Sequence, residues 1–429
     1  MGDRFIVALL MLVMFISGAD LLIMTPILPA VADDLGVGPD LGGLWVTAYA
    51  VTTALFALAF GPVSDRFGRR RMLAAGMVVL FAGTAACAFA HSFTSMLLAR
   101  SLAGSGAGLL VTSTTSYAGD HFPPERRAVV VGWVMSGFFA SLILAVPLGA
   151  WLAGAFGWPT MFLILSAGAA ALAVGLWVLP PARFEERSDS LSFSGAARAY
   201  TELISDPKVA GVLIMSFSVG LAMTMFSVYT SPWLAETFGL DTADRGLVYA
   251  AGGPAVLLGG PVAGRLSNHF GRVSLVLAGS ILMGSMQLLM PFTTWSRDWL
   301  ARGSAFEGFS AFGVDPWPYA VPPIVIFFLC MAAGATRSGP YQTLVLEVAP
   351  KSRRGATSAL RNGCNQLGSG LGAALGGFFW SRLDPAYGVI CVVAAAVTFG
   401  GAFALRALVG SDRPRRHPEG LLKPSESGT

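Results

Sequence analysis

Long apolar stretches divide the chain into segments of membrane-spanning length. A helix that crosses roughly 30 Å of hydrocarbon needs about 20 apolar residues, because it rises about 1.5 Å per residue. We predict twelve transmembrane helices, at 5–29, 43–63, 72–90, 94–118, 128–155, 159–179, 209–233, 246–266, 273–292, 320–347, 355–380 and 386–408. The first stretch lacks a small-residue cleavage site, so we interpret it as a retained helix rather than a signal peptide.

One long polar stretch, from Arg183 to Lys208, interrupts this pattern in the middle of the chain. It separates six predicted helices from six others, which indicates two halves joined by a linker. We therefore predict an N-terminal six-helix bundle at 1–182, a cytoplasmic linker at 183–208, a C-terminal six-helix bundle at 209–410 and a cytoplasmic tail at 411–429.

Composition places most of the chain in lipid. Of its 429 residues 54% are hydrophobic and only 12% are charged, which is more apolar surface than a soluble multidomain enzyme can bury. The formal charge of +4 comes from short, scattered basic clusters rather than one patch, so we expect no nucleic-acid partner. The four cysteines and four histidines lack metal-ligand spacing, and neither a phosphate-binding loop nor a nucleophile–base set is present. We expect no metal, no cofactor and no enzymatic activity.

The basic residues predict the orientation in the membrane. Three of the 28 Lys and Arg lie deep within predicted helices, namely Arg100, Arg337 and Arg361. With a cytoplasmic N-terminus only Arg245, Arg297, Arg302 and Arg382 fall outside, leaving 21 on cytoplasmic loops, tails and helix ends. Cytoplasmic loops carry such an excess. We expect a multi-pass protein of the cell inner membrane with both termini in the cytoplasm.

The two halves repeat each other in sequence. GPVSDRFGR from Gly61 to Arg69 is echoed 203 residues later by GRLSNHFGR from Gly264 to Arg272. Asp120, which follows the fourth helix, is echoed 227 residues later by Glu347, which follows the tenth. Parallel repeats of this kind indicate two bundles related by an axis along the membrane normal.

The motif GPVSDRFGRRR from Gly61 to Arg71 resembles the signature loop of the major facilitator superfamily, at its place between the second and third helices. Arg100 with Gly104 and Gly106 resembles the family's fourth-helix motif. Asp20, followed nine residues later by Pro29, resembles the first-helix motif of the twelve-span drug:proton antiporters. The resemblance covers essentially the whole chain and implies an all-α membrane protein, the major facilitator fold, that works as a monomer.

By that resemblance, the signature loop is an inner gate. Gly61 and Gly68 would permit a sharp turn, and Asp65, beside Arg66 and Arg69, would face the first turn of the eleventh helix, where a carboxylate is favoured by the helix dipole. Alternatively, these charges only set topology. Asp120 with Arg127, and Glu347 with Arg354, are within reach of each other along the chain, so their salt bridges could rearrange during gating or remain plain interfacial ion pairs.

Ionisable side chains inside a membrane span are costly and mark functional sites. Asp20 lies roughly 12 Å below the outer surface and Arg100 roughly 9 Å below it, by the rise of a helix. This shared depth predicts that they are partners. A conformational change that separates them would favour protonation of the carboxylate, so we predict that Asp20 couples transport to protons and that Arg100 tunes it. A permanent ion pair that locks two helices is the alternative.

Arg337, near the middle of the tenth helix, is the best predicted cargo contact. Gly339-Pro340 should break the helix there and free backbone groups to line a cavity. Arg361 either contacts cargo or reaches the inner surface. Further hydrogen-bonding side chains could serve cargo binding or packing, namely Tyr229, Tyr341, Asn365 and Gln366.

These features predict a secondary transporter whose partners are a small-molecule solute, protons and the lipid bilayer. The leading hypothesis is proton-coupled efflux of small amphipathic molecules, and the surplus of buried positive charge favours an anionic cargo. An uptake carrier for an organic anion is the second hypothesis. A membrane sensor or scaffold that transports nothing is the third.

Overall fold

The computed structural model describes residues 2–180, 193–295, 317–350, 353–384 and 386–410. Within these ranges the chain folds into long α-helices. We label them α1 (Asp3–Asp34), α2 (Pro39–Phe67), α3 (Arg69–Ala88), α4 (Phe93–His121), α5 (Pro124–Ala140), α6 (Val146–Phe156), α7 (Trp158–Leu176), α8 (Phe193–Ile204), α9 (Pro207–Phe238), α10 (Thr242–Phe270), α11 (Arg272–Leu289), α12 (Trp317–Val348), α13 (Arg354–Arg382) and α14 (Ala386–Val409).

Helices α5 and α6 form one span through a π-helical turn at Ser141–Ala145. Pro147 follows this turn and has no N–H to donate to the carbonyl of Ile143, which accounts for the locally widened helix. Ten spans in the described residues are long and apolar enough to cross a membrane. Helices α10 and α13 complete the predicted twelve; each has 29 residues, the same length as α2 and α4.

The packing of the helices repeats between the two halves. Helix α4 packs on α2 and α3, and α12 packs on α10 and α11 in the same way. Likewise α1 contacts α5 and α7, as α9 contacts α13 and α14. Between the halves, α2 packs on α13 and α10 packs on α6, and α1 meets α9. A two-fold pseudo-symmetric arrangement with α1 and α9 at its centre follows from these contacts.

A glycine with positive φ separates the second and third helix of each half. Gly68 has φ 90° and Gly271 has φ 80°, and each directly precedes a helix that begins with arginine. Only glycine adopts such a conformation without steric cost. The expectation that Gly61 shares this turn is wrong, because Gly61 lies inside the continuous helix α2.

The predicted break at Gly339-Pro340 is also wrong. Helix α12 continues from Trp317 to Val348 with three prolines inside it. The fixed φ of proline suits a helix, so Pro340 removes only its own hydrogen bond and the turns on either side hold. Ser338 donates its hydroxyl hydrogen to the carbonyl of Ala335 at 2.8 Å, within the helix.

The linker contains structure that the sequence pattern did not predict. Helix α8 lies within 183–208, and Leu203 packs with Val209, Leu213 and Leu360 in a small core beneath α9 and α13. Glu202 of α8 forms an ion pair with Arg353 just before α13. The linker therefore docks on the second half through both apolar and charged contacts.

The two halves share a large apolar core at one end of the bundle. We call the two ends the Asp34 end and the Asp3 end, after the last and first residues of α1. At the Asp34 end one apolar cluster joins α1 residues such as Leu28 and Val31 to α9 residues such as Tyr229 and Trp233. At the Asp3 end the two larger clusters of described residues are separate, one in the first half and one in α9, α11, α12 and α14. A small cluster around Leu360, on which Leu58 of α2 packs, joins the halves there. The halves are closed at the Asp34 end.

Candidate functional site

Asp20 and Arg100 meet in the interior of the first half. Arg100 Nη1 lies 3.3 Å from Asp20 Oδ2 and 3.2 Å from the Asp20 carbonyl oxygen. Thr84 Oγ1 donates to the second carboxylate oxygen at 2.9 Å. The side chains of the pair are 0% and 1% exposed. The expected pairing is therefore present, while a role in proton coupling stays a prediction.

The ring of Tyr49, on α2, contacts the Arg100 side chain of this pair. The Arg100 guanidinium carbon lies 4.3 Å from the centre of the Tyr49 ring, within the range of a cation–π contact. Close packing of α2 on α4 makes this possible, because a Cβ at Gly104 would lie 2.3 Å from the Tyr49 carbonyl oxygen. Side chains from α1, α2, α3 and α4 thus meet around one buried charge pair.

A second polar site lies in the other half, between α9, α12 and α13. It surrounds a cavity of about 120 Å³ lined by Ser216, Val219, Arg337, Ser338, Tyr341, Gln342, Arg361 and Asn365. Three of the predicted cargo contacts, besides Arg337 itself, therefore share one cavity. The structure thus brings together four of the predicted cargo residues, namely Arg337, Tyr341, Arg361 and Asn365.

Hydrogen bonds to α9 hold the tyrosine and the asparagine of this cavity in place. The Tyr341 hydroxyl donates to the Val212 carbonyl at 2.5 Å and lies 2.5 Å from Ser216 Oγ. Asn365 Nδ2 donates to the Ser216 carbonyl at 3.1 Å. One wall of the cavity is thus fixed by three helices before any ligand is bound.

The two arginines of the cavity lack an acidic partner in the described part of the chain. Arg337 is 7% exposed, and its Nε and Nη1 have no hydrogen-bond acceptor there. The charged or ionisable neighbours of Arg337 are Tyr341 and Cys330, and that of Arg361 is Tyr341. Among the described residues, Arg361 donates to the neutral Asn362 amide oxygen, at 3.1 Å. The cavity therefore carries positive charge that the surrounding described residues do not neutralise.

Two predicted cargo residues do not line this cavity. Tyr229 is fully buried at the Asp34 end, where its hydroxyl donates to the Ala373 carbonyl at 3.0 Å and its ring lies against Gly376 of α13. Its contacts bridge α9 and α13 next to α2, so Tyr229 is part of the closed core at that end. Gln366 of α13 is half-buried and is not part of the cavity wall.

Among the described side chains, the predicted gating acids pair with arginines of a neighbouring helix. Asp120 Oδ2 accepts from Arg69 Nε at 2.8 Å, and Glu347 forms an ion pair with Arg272. Arg127 instead donates to the carbonyl of Phe122 at 2.9 Å. Each acid at the end of α4 or α12 reaches the first residue of the neighbouring helix, α3 or α11, because those helices pack together along their length.

Some of the predicted gating residues cannot be placed. The side chains of Asp65, Arg66 and Arg354 lie outside the described part of the structure. Their roles stay predictions.

Sequence reasoning missed Thr84 and Tyr49 at the charge pair and Ser216 at the cavity. Small hydroxyl residues and buried tyrosines are common in membrane helices, so nothing in their spacing singles them out. Arg272, in contrast, carried a usable signal. The two repeats align Arg69 with Arg272 and Asp120 with Glu347. Because an arginine and an acid recur at matching positions in both halves, the repeat predicts that the same two positions form an ion pair in each half.

Comparison with known proteins points to one family. The model of the family described as Major Facilitator Superfamily matches residues 10–323. An uncharacterized MFS-type transporter of Bacillus subtilis, YceJ, is 28% identical over 368 residues, 86% of this chain and 87% of the relative. The 4-hydroxybenzoate transporter PcaK of Acinetobacter baylyi is 32% identical, but over 153 residues only, 36% of this chain and 34% of that protein.

Two solved structures share the fold. A bacterial homolog to the human lysosomal transporter Spinster, in an inward-facing and unoccupied conformation, has a TM-score of 0.70 at 16% identity and covers 96% of this chain and 99% of its own. The D-xylose-proton symporter has a TM-score of 0.70 at 17% identity, with 93% and 98% covered. At these sequence identities the similarity shows only that the fold is shared.

Proposed function

Because the chain belongs to the major facilitator superfamily and is a multi-pass membrane transporter, we propose that it is a proton-coupled exporter of small amphipathic, anionic organic molecules. In this proposal it works as a monomer in the cell inner membrane with both termini in the cytoplasm. The Asp34 end then faces outward, and the closed core at that end corresponds to an inward-facing state.

The buried pair of Asp20 and Arg100 carries the proposal. An acid and a base at full burial are costly unless they are paired, so membrane helices retain them for function. Asp20 is 0% exposed in this state, which means that solvent protons reach it only in another state of the cycle. Coupling requires this property, because a carboxylate that was always accessible would let protons leak.

The transport cycle follows from the arrangement of the halves. Opening of the Asp34 end separates α1 from α9, whose contacts include the hydrogen bond from Ser231 Oγ to the Pro26 carbonyl at 3.1 Å. Movement of α1 changes the environment of Asp20, which lies on the same helix. Protonation of Asp20 weakens its attraction to Arg100, and its deprotonation restores the pair, so the two protonation states favour different positions of α1.

The test measures proton movement in vesicles that contain the purified protein. Benzenesulfonate, phenyltrimethylammonium and benzamide are added from outside while a trapped dye reports the internal pH. The first two probes stay charged at all relevant pH values and cannot carry protons across the bilayer by themselves. Entry of a probe with a rise in internal pH supports antiport, and entry with a fall in internal pH supports symport.

Matched variants separate coupling from folding. Asp20→Asn should lose proton movement but keep the exchange of labelled for unlabelled probe, since exchange needs no net proton transfer. Glu125→Gln removes the same charge at an exposed position in the first turn of α5 and should behave like the wild type. Full proton coupling in Asp20→Asn contradicts the proposal, and a folded protein that moves no probe favours a sensor or scaffold.

The cavity around Arg337 favours a second candidate function, uptake of an organic anion. Its positive charge lacks a described acidic partner, and a partial relative is named a 4-hydroxybenzoate transporter. In the same vesicles, symport of benzenesulfonate with protons, abolished by Arg337→Met, would favour this function over export.

A further inference from the structure

We propose that the cavity between α9, α12 and α13 binds the carboxylate of an organic acid, with Arg337 as the principal ligand. This inference deepens the proposed transport function, because it specifies the chemical group that the second half recognises. The inference is argued from the geometry of the cavity and from the positive charge of its two arginines.

The first argument is that Arg337 is buried with unpartnered hydrogen-bond donors. An arginine that is 93% buried normally has its donors satisfied, since an unpaired buried donor is costly. Two of its nitrogen atoms, Nε and Nη1, have no acceptor among the described residues. Each of these N–H groups can donate a charge-assisted hydrogen bond to a carboxylate oxygen. What sets Arg337 apart from Arg100, which is paired with Asp20, is that it has no acidic partner among the described residues. A carboxylate from outside the chain would supply both the acceptor and the negative charge.

The lining of the cavity is the second argument. Arg361 adds a second guanidinium, while the other polar groups, from Ser216, Ser338, Gln342 and Asn365, are neutral donors or acceptors. The side chains that line the cavity include no Asp or Glu. A cationic ligand would meet two like charges here, so the lining selects against it.

The size of the cavity is the third argument. About 120 Å³ is well below the roughly 300–1,000 Å³ typical of a pocket that encloses a whole ligand. The space suits a carboxylate and a few carbon atoms. Ser338 and Gln342 are exposed at one side of the cavity, so the remainder of the ligand extends past them, out of the cavity.

The two halves thus carry different electrostatic sites. The first half has a neutral, closed pair in Asp20 and Arg100, and the second has positive charge without a described counterion. The repeat in the backbone does not extend to these charges, since residues 227 positions before Arg337 and after Arg100 are Leu110 and Phe327. In this proposal the second half binds the anion, and protonation takes place at Asp20 in the first half.

Thermal unfolding of the purified protein in detergent tests this inference. Benzoate should raise Tm by mass action, and benzamide, which has the same shape without the charge, should not. Arg337→Met keeps much of the side-chain volume but removes the charge. We expect its Kd for benzoate to rise by about tenfold or more, and we expect its Tm without benzoate to lie above that of the wild type, because an uncompensated buried charge is gone.

Control variants exclude a purely structural role for Arg337. Arg406→Ala, at an exposed arginine in the last turn of α14, should leave both Tm and benzoate binding unchanged. Arg337→Lys keeps the charge but not the planar guanidinium with its five N–H donors, and should bind benzoate with intermediate Kd. If Arg337→Met instead lowers Tm and still responds to benzoate, Arg337 is a structural residue and the inference is wrong.

Further outcomes separate this inference from the proposed function. Equal Tm shifts with chloride or phosphate would mean a general anion site and overturn the assignment to organic acids. Benzoate binding that depends on Arg337 in a protein that moves no proton supports the inference and contradicts the proposed function. Proton-coupled transport that is intact in Arg337→Met supports the function and contradicts the inference.

Discussion

Gly68 and Gly271 show how single residues set the geometry of both halves. Each stands at the turn that leads into α3 or α11, with φ near the left-handed range that costs a residue with a Cβ about 1–2 kcal/mol. The following arginine of each pair, Arg69 or Arg272, then begins the next helix and reaches an acid on α4 or α12. The turn at the glycine therefore positions the arginine that forms the ion pair.

Replacement of this glycine tests the argument. Gly68→Ala should lower the free energy of unfolding by about 1–2 kcal/mol, because alanine is strained at positive φ. Thermal unfolding in detergent provides the measurement as a fall in Tm. Gly119→Ala is the control, since Gly119 lies within α4 and a Cβ there meets nothing within 4 Å. A similar Tm for both variants contradicts the argument.

At the scale of helices, the ion pairs between helices of the described part of the chain tie neighbours within a half. Arg69 and Asp120 join α3 to α4, and Arg272 and Glu347 join α11 to α12. A motion in which the halves rock as bodies leaves such pairs intact. Their expected role in gating is therefore to hold each half together while it moves.

A charge exchange tests this role. Asp120→Arg places two arginines together and should lower the free energy of unfolding by about 1 kcal/mol, since the pair is partly exposed to solvent. Adding Arg69→Asp restores an opposite pair and should recover both Tm and the transport rate. Recovery of Tm without recovery of transport would mean that Asp120 acts beyond the pair. The same exchange at Arg272 and Glu347 is the matched control in the other half.

The span formed by α5 and α6 links the two halves at its irregular turn. A Cβ at Gly18 of α1 would lie 2.5 Å from Ser141 Oγ, and one at Gly253 of α10 would lie 2.3 Å from Ile143. The π-helical turn thus contacts α1, two residues from Asp20, and also the opposite half. We propose that a displacement of α10 moves this turn and, through it, the helix that carries the carboxylate.

For the whole molecule, the closed Asp34 end should open during transport. A Cβ placed at Gly154 of α6 lies 4.0 Å from that of Ala243 of α10, within the roughly 3.5–4.5 Å that a disulfide spans. Oxidation of the double variant Gly154→Cys and Ala243→Cys should therefore lock this end and stop transport. A reductant should restore it.

Controls for the locked protein are the two single variants, which retain the native cysteines but cannot form the bridge. They should transport with and without oxidant. Transport by the fully cross-linked double variant would show that this end does not separate, and would contradict rocking of the halves.

The sequence by itself determined the spans, the repeat and the depth of each buried charge. Apolar runs predict membrane helices because lipid offers no hydrogen bonds, so each run forms a helix with its own backbone bonds satisfied. Depth follows from the fixed rise per residue, which is why Asp20 and Arg100 were predicted as partners and are 3.3 Å apart.

Only the tertiary structure decided which side chains meet around each helix. Tyr229, expected at the cargo site, lies in the closed core, and Asp120 pairs with Arg69 rather than Arg127. That no described acid lies beside Arg337 could not be predicted either. Depth along a helix is set by residue number, but the direction in which a side chain faces its neighbours depends on how helices distant in the chain pack together.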